Sequence, residues 1–313
     1  MKKKATFMAY APVGPGDQEA ARAADLVESL CIFEPEIAGI LLIDDGVRDA
    51  PLMKNMRRPR RGWLAAVAHP FQSNQVDDLG GVCVADLFAF STLREHLDDI
   101  DFVLKCDTDA LAIAPFAEPI AAAFRRNPTA GMVGTLGTSC NPKMNTRAND
   151  AEVSKILADA QSIALGCDRA KEIMDHWQIT SETQKQSLQR ITERFTPLLS
   201  ASYAGEHCQG GSYAVSAEMI RRMINAGYLS DSDLWRYLPF AEDRMMGLYC
   251  ALVGLNSLDL SAPGEVFGVQ SVGLPYAPDE LVQLGYSIVH SVKGKEEDAI
   301  RAFFRSIRLA RIS

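Results

Sequence analysis

Two acids one residue apart, Asp107 and Asp109, follow directly on the apolar run Phe102–Cys106. In extended backbone the side chains at i and i+2 leave the same face, so both carboxylates can reach one cation. Hard oxygen ligands suit Mg²⁺ or Mn²⁺. Such an ion can bridge two phosphates and stabilise the charge of a departing diphosphate. Pairs of this kind are also common as solvated loop acids, and the apolar strand in front is what gives this one weight.

That strand needs a sheet around it. Ala5–Tyr10 reads as a first strand, Asp17–Leu30 as an Ala-rich helix opened by Asp17, and Ile37–Ile43 as a second strand ending in Asp44-Asp45-Gly46. Leu64–Ala68 and Gly81–Ala85 are further strand candidates. A helix is expected at Thr92–Leu97, then a helix at Pro119–Arg126 and a strand at Ala130–Thr135. Apolar strands separated by helices predict an α/β protein with a mostly parallel sheet flanked by helices on both faces. Ligands of such sheets bind beyond the carboxyl ends of the strands, where Asp44 and Asp107 fall.

From about 150 to 200 strand signals fade and polar helices take over (Ala151–Ile163, Arg169–Trp177, Ser181–Phe195), which reads as a helical insertion in one domain spanning 1–313. After a Gly-Gly turn come helices at Ala217–Ala226, Ser230–Leu238 and Glu242–Val253, a strand at Tyr286–Val289, and a C-terminal helix over about 296–309.

The net charge of -8 argues against broad nucleic-acid binding, which needs a basic surface. Seven scattered cysteines without a C-x-x-C pair exclude a thiolate zinc site of the usual spacing and suit a reducing compartment. Three lysines precede the first apolar run, but Pro12 and Gly14 cut it short, so it reads as a strand and not as a signal peptide. No stretch reaches the ~18 apolar residues of a membrane span. The expected location is cytoplasmic. Contact with an anionic membrane surface stays open on two features: Arg57, Arg58, Arg60 and Arg61, and the last helix with Ile300, Phe303, Phe304 and Ile307 beside Arg301, Arg305 and Arg308. Their plainer readings are a solvated loop and a helix docked on its own protein.

Three segments resemble the β-1,3-galactosyltransferase and Fringe-like glycosyltransferases of the GT-A fold. FVLKCDTDALAI (Phe102–Ile113) looks like their strand-Lys-Asp-x-Asp segment, and CQGGSYAVSAEMIRRM (Cys208–Met223) like their Gly-Gly-x-Tyr-x-x-Ser turn and helix. AEDRMMGLYCALVGLNSL (Ala241–Leu258) looks like their Glu-Asp-x-x-x-Gly helix. A fourth, Ile37–Gly46, is similar to the strand-Asp-Asp-Gly element of large inverting GT-A synthases. Together they cover about a fifth of the chain.

The resemblance implies a hexosyltransferase that moves sugar from a nucleotide-sugar donor, a UDP-sugar, to a carbohydrate or other hydroxyl acceptor with inversion. Asp107 and Asp109 would hold Mn²⁺ or Mg²⁺, with His290 as an additional ligand. Lys105 and Lys293 would lie against the diphosphate, and Asp44 or Asp45 would meet base or ribose. Gly210 and Gly211 would let backbone N–H groups approach the donor. Asp243 would be the base that deprotonates the acceptor, with Glu242 in exchange or fixing the acceptor. Each has a plainer reading: a turn for Asp44-Asp45-Gly46 and for Gly210-Gly211, helix capping for Glu242 and Asp243, a structural histidine for His290.

Two departures stand out. Thr108 occupies a middle position that is often acidic in the related families, and Arg244 follows Asp243 where an aliphatic residue is usual. Three other readings compete. A haloacid-dehalogenase phosphatase also opens with strand and D-x-D, but near its N-terminus and running on into Thr or Val. A sugar-phosphate nucleotidyltransferase expects a Gly-rich basic signature, and Ala11–Gly16 has the glycines without the Arg or Lys cluster. A non-catalytic nucleotide-sugar-binding protein would need none of the acids.

Overall fold

The structure, a computed structural model, describes residues 4–46, 51–54, 56–71, 78–137, 139, 143–144, 155, 158–159, 174–175, 179–200, 203, 205–236, 238 and 240–312. Ten strands form two sheets among these residues: β1 Phe7–Val13, β2 Gly39–Asp44, β3 Trp63–Ala68, β4 Phe102–Cys106, β5 Leu111–Ala112, β6 Ala130–Gly134, β7 Ser212–Ser216, β8 Asn256–Asp259, β9 Phe267–Val269 and β10 Ile288–His290. The large sheet runs β3-β2-β1-β4-β7-β6-β8. β1 to β4 are mutually parallel, β6 and β8 are parallel to each other, and β7 alone runs antiparallel to both its neighbours. The protein is thus α/β with a mixed, mostly parallel sheet. β5, β10 and β9 make a small second sheet.

Alternate strand residues supply two cores. Met8, Tyr10, Leu41, Ile43 and Val103 face one side, where α2 (Asp78–Leu93), α4 (Glu182–Ser200), α5 (Ala217–Asn225) and α7 (Glu242–Leu252) pack. Phe7, Ala9, Ile40, Leu42, Phe102 and Leu104 face the other, under α1 (Asp17–Phe33) and α3 (Ala117–Arg126). The period-2 alternation of each strand is what lets one sheet carry both. A third cluster joins the small sheet to the C-terminal helix α9 (Glu297–Ile312) through Leu111, Val289 and Phe304. Between α5 and α7 lies the short helix α6 (Ser232–Trp235), and between β9 and β10 the short helix α8 (Pro278–Gln283).

Most expected elements stand, with shifted ends. Gly81–Ala85 does not: it lies inside α2. That helix is packed between the sheet and α6–α7, so it is apolar all round and shows no helical stripe. Gly80 lets it close on the chain, since a Cβ there would meet the Trp235 carbonyl oxygen at 2.4 Å. The sequence reading also lacks β5, β7, β8, β9 and α8, and places His290 after the last strand where it is the final residue of β10. Of the expected insertion at 150–200, Ser181–Phe195 is realised within α4. Its Phe195 ring packs on Trp235 and Tyr249, so this helix belongs to the main core. Ala151–Ile163 and Arg169–Trp177 lie mostly outside the described residues. No helix among the described residues is long and apolar enough to cross a membrane.

Leu104 on β4 is fully buried. Leu104→Ala should lower unfolding free energy by about 3 kcal/mol through lost burial and the cavity left behind. Leu309→Ala, at a site 54% exposed, should change it by less than about 0.5 kcal/mol. Urea titrations followed by circular dichroism would read both, and equal effects would contradict the placement of β4 in the core.

Candidate metal centre

Strand order reverses at β1: β2 lies on one side of it and β4 on the other. The loops leaving the carboxyl ends of β1 and β4 therefore part and open a crevice. Asp107 and Asp109 emerge from β4 into it. A cleft of about 560 Å³ is lined there by Glu19, Asp107, Thr108, Asp109, Glu242, His290 and Lys293, with Ser271–Gly273. A second cavity of about 230 Å³ adjoins it, sharing Pro12, Gly14 and Val82. Its walls are largely apolar (Val13, Ile43, Val82, Ala85), with Asp45 and His69 as polar groups.

Asp107, Asp109 and His290 each offer one ligand atom, and these atoms lie within 4.8 Å of one another. His290 Nε2 is 3.2 Å from Asp109 Oδ1 and 3.9 Å from Asp107 Oδ2. Its Nδ1 lies 2.8 Å from the Gln270 carbonyl oxygen. A carbonyl only accepts, so Nδ1 carries the hydrogen and the Nε2 lone pair of the neutral ring is aimed at the acids, the tautomer a metal ligand requires. Ser291 Oγ donates to Asp109 Oδ2 at 2.5 Å, fixing that carboxylate from behind. These three ligand atoms are placed so that they could hold a metal ion.

His290 arrives by register. β5 begins two residues after Asp109 and pairs with β10, Val289 opposite Leu111. Its ring then needs a neighbour without a side chain, because a Cβ on Gly211 would sit 2.3 Å from Nδ1. Gly211 also has φ +80°, a conformation L side chains rarely adopt.

Beneath the acids lies Lys105, with no exposed side-chain surface. Its ammonium is 2.7 Å from Asp107 Oδ1 and 2.8 Å from Glu242 Oε1. Burial alone would neutralise it, but Asp107, Glu242 and Asp86 outweigh burial and hold it protonated. Burial raises the pKa of Glu242, helped by Asp243 and Asp107 and opposed by Lys105.

The other expected residues are placed differently. Asp243 turns from the cleft: Oδ2 accepts the Gly210 N–H at 2.9 Å and Oδ1 the Arg244 N–H at 2.7 Å. Gly210 and Gly211 support Asp243 and His290 from below, and the Gly210 N–H is committed to Asp243. Asp44 Oδ1 accepts the Gly46 N–H at 3.0 Å in its own turn, while Asp45 lines the second cavity. Lys293 is exposed at the cleft mouth. His207 is buried beside α7 with Nδ1 2.8 Å from the Gly205 carbonyl oxygen. Glu19, Ser291, Gln270 and His69 went unassigned in the sequence, and no local pattern marks them; only the neighbour relation of Ser291 to His290 was visible.

No family model matches this chain, and no curated protein matches it.

Burial lowers the His290 pKa, but the Asp109 hydrogen bond and the charges of Asp109 and Asp107 outweigh it and raise the ring above its ordinary ~6.5. A cation must displace that proton. Mn²⁺ affinity should therefore rise with pH, levelling off only above the raised pKa, and His290→Asn should weaken binding and flatten that dependence. Calorimetry between about pH 5.5 and 8.5 would show it; an unchanged slope in His290→Asn would remove His290 from the ligand set.

Proposed function

We propose that this chain is a metal-dependent glycosyltransferase of the GT-A kind, moving a sugar from a nucleotide-sugar donor to a hydroxyl acceptor with inversion. The observation that carries the reading is the Asp107–Asp109–His290 cluster at the carboxyl end of β4, opening into two adjoining cavities at the point where strand order reverses. The larger presents four carboxylates, Glu19, Asp107, Asp109 and Glu242, fit for a metal-bound diphosphate, and the smaller is apolar with a few polar groups, fit for a nucleoside. Asp45 is the acid presented to that nucleoside, in preference to Asp44.

When bound, Mn²⁺ or Mg²⁺ supplies charge stabilisation to the departing diphosphate. Asp107, Asp109 and His290 hold the ion, and Lys293 offers a second positive charge at the cleft mouth. Lys105 stays below, steering Asp107 without reaching the cleft.

The acceptor oxygen bonds to the anomeric carbon as the bond from that carbon to the diphosphate oxygen breaks. The acceptor proton goes to a carboxylate. Asp243 already receives two backbone N–H bonds, whereas Glu242 lines the cleft, gives only Oε1 to Lys105, and has a raised pKa from burial. We therefore assign the base to Glu242, and to Asp243 the task of fixing the Gly210–Gly211 turn.

Wild type should bind UDP calorimetrically in the presence of Mn²⁺, and Asp109→Ala should lose that binding. GDP and CMP are the comparison ligands, and failure of all three would sink the reading. In a transfer assay Glu242→Gln should lower kcat by about 10²-fold or more with UDP affinity kept. A product with retained configuration would overturn the base assignment and leave the metal site standing.

A further inference from the structure

Thr108 stands between the two acids in a tight turn, closed by the Ala110 N–H donating to the Asp107 carbonyl at 3.0 Å, and is 6% exposed. Its Oγ1 donates to Glu19 Oε2, and its carbonyl oxygen accepts Arg301 NH2 at 3.4 Å. Both partners belong to a buried ionic network. Glu19 Oε1 takes Arg22 NH1 at 2.5 Å. Arg22 forks onto Glu297, Nε to Oε1 at 2.7 Å and NH2 to Oε2 at 2.5 Å. Arg301 binds Glu297 Oε1 at 2.9 Å and Asp25 Oδ2 at 2.7 Å, and Arg308 reaches Asp25 Oδ1. Arg22, Asp25, Glu297, Arg301 and Arg308 are each under 10% exposed.

We propose that Thr108, Glu19 and Arg301 are positioning residues for the metal ligands, and that α9 acts through them as a clamp on the loop that carries Asp107 and Asp109. The inference rests on the metal reading above. The loop is also tied by backbone bonds, Asp107 N–H to the Gly211 carbonyl, Ala110 N–H to the Asp107 carbonyl and Val292 N–H to the Asp109 carbonyl, and by the contacts of Lys105 with Asp107 and of Ser291 and His290 with Asp109. Those ties anchor the acids at either end. Rotation of the peptide between them is opposed by the hold on the Thr108 hydroxyl and carbonyl. The bidentate Arg22–Glu297 pair is directional, and Arg301 spans Glu297, Asp25 and the Thr108 carbonyl, so the network carries a fixed geometry from α9 to the loop. Glu19 is also a cleft-lining residue, so the clamp reaches the wall beside the cation.

The experiment is Mn²⁺ binding to the full chain, by electron paramagnetic resonance of the free ion, for wild type, Thr108→Val, Thr108→Ser and Arg301→Lys. Thr108→Val keeps the shape and removes the donor, and it should bind Mn²⁺ at least about tenfold more weakly. Thr108→Ser keeps the hydroxyl and should restore wild-type affinity, a rescue that loss of packing alone would not produce. Arg301→Lys cannot span Glu297, Asp25 and the Thr108 carbonyl together and should behave like Thr108→Val. Glu19→Gln offers the same readout should Thr108→Val fail to fold, as judged by circular dichroism. Folded Thr108→Val with wild-type affinity would overturn the clamp and leave the metal site intact. A wild type that binds no Mn²⁺ would overturn both.

Discussion

Lys105 sits in the middle of the large sheet with no exposed side-chain surface, opposite Tyr10 of β1 and Tyr213 of β7 in register. Its ammonium is shared between Asp107 and Glu242. A buried cation of this kind persists only with partners, and removing it would strand two carboxylates beside each other at the base of the cleft. Asp86, fully buried on α2, adds a third; its Oδ2 accepts the Tyr213 hydroxyl at 2.7 Å. Burial pushes Asp86 up to about 7, opposed by the charge of Lys105. The floor of the site is therefore short of positive charge, which favours occupation of the carboxylates above by a cation.

Topology then decides which residues can stand around that floor. The reversal at β1 opens the crevice, and β7, running against its neighbours, starts at the end where β4 finishes. The Gly210–Gly211 turn before β7 consequently arrives under Asp107, whose N–H donates to the Gly211 carbonyl at 2.7 Å. A two-residue strand, β5, does the rest: lying just after Asp109, it aligns β10 so that His290 ends beside the acids. Residues from four distant parts of the chain meet without any of them sitting on a long flexible loop.

What was legible followed from how local the cause was. Asp107 and Asp109 could be read because strand and acids are contiguous, and most parallel strands and their helices because apolar runs end at recognisable turns. β7 could not. Ser212 and Ser216 flank only three apolar-run residues, and all five are buried on both sides, so neither length nor alternation marks it. Gly81–Ala85 misled because a helix buried all round has no polar stripe to give its period. Within the site, Glu242 and Asp243 were adjacent acids with no sequence difference to separate their roles; only the backbone N–H groups that meet Asp243 do so. Ser291 and Glu19 act across separations of 182 and 89 residues, which no local pattern carries.

The threonine between the acids, a departure from the acid triplets of the resembling families, has a physical cause in this fold. Its side chain meets the Glu19 carboxylate, which already serves Arg22. An aspartate at 108 would bring a second negative charge to hydrogen-bond distance of the first, and the two would repel. A hydroxyl donates where a carboxylate would repel. The residue at 108 thus answers to α1 and α9 through Glu19 and Arg301. The two acids answer to the cleft. One short turn carries both requirements: its two acids meet His290, and the threonine between them meets Glu19 and Arg301.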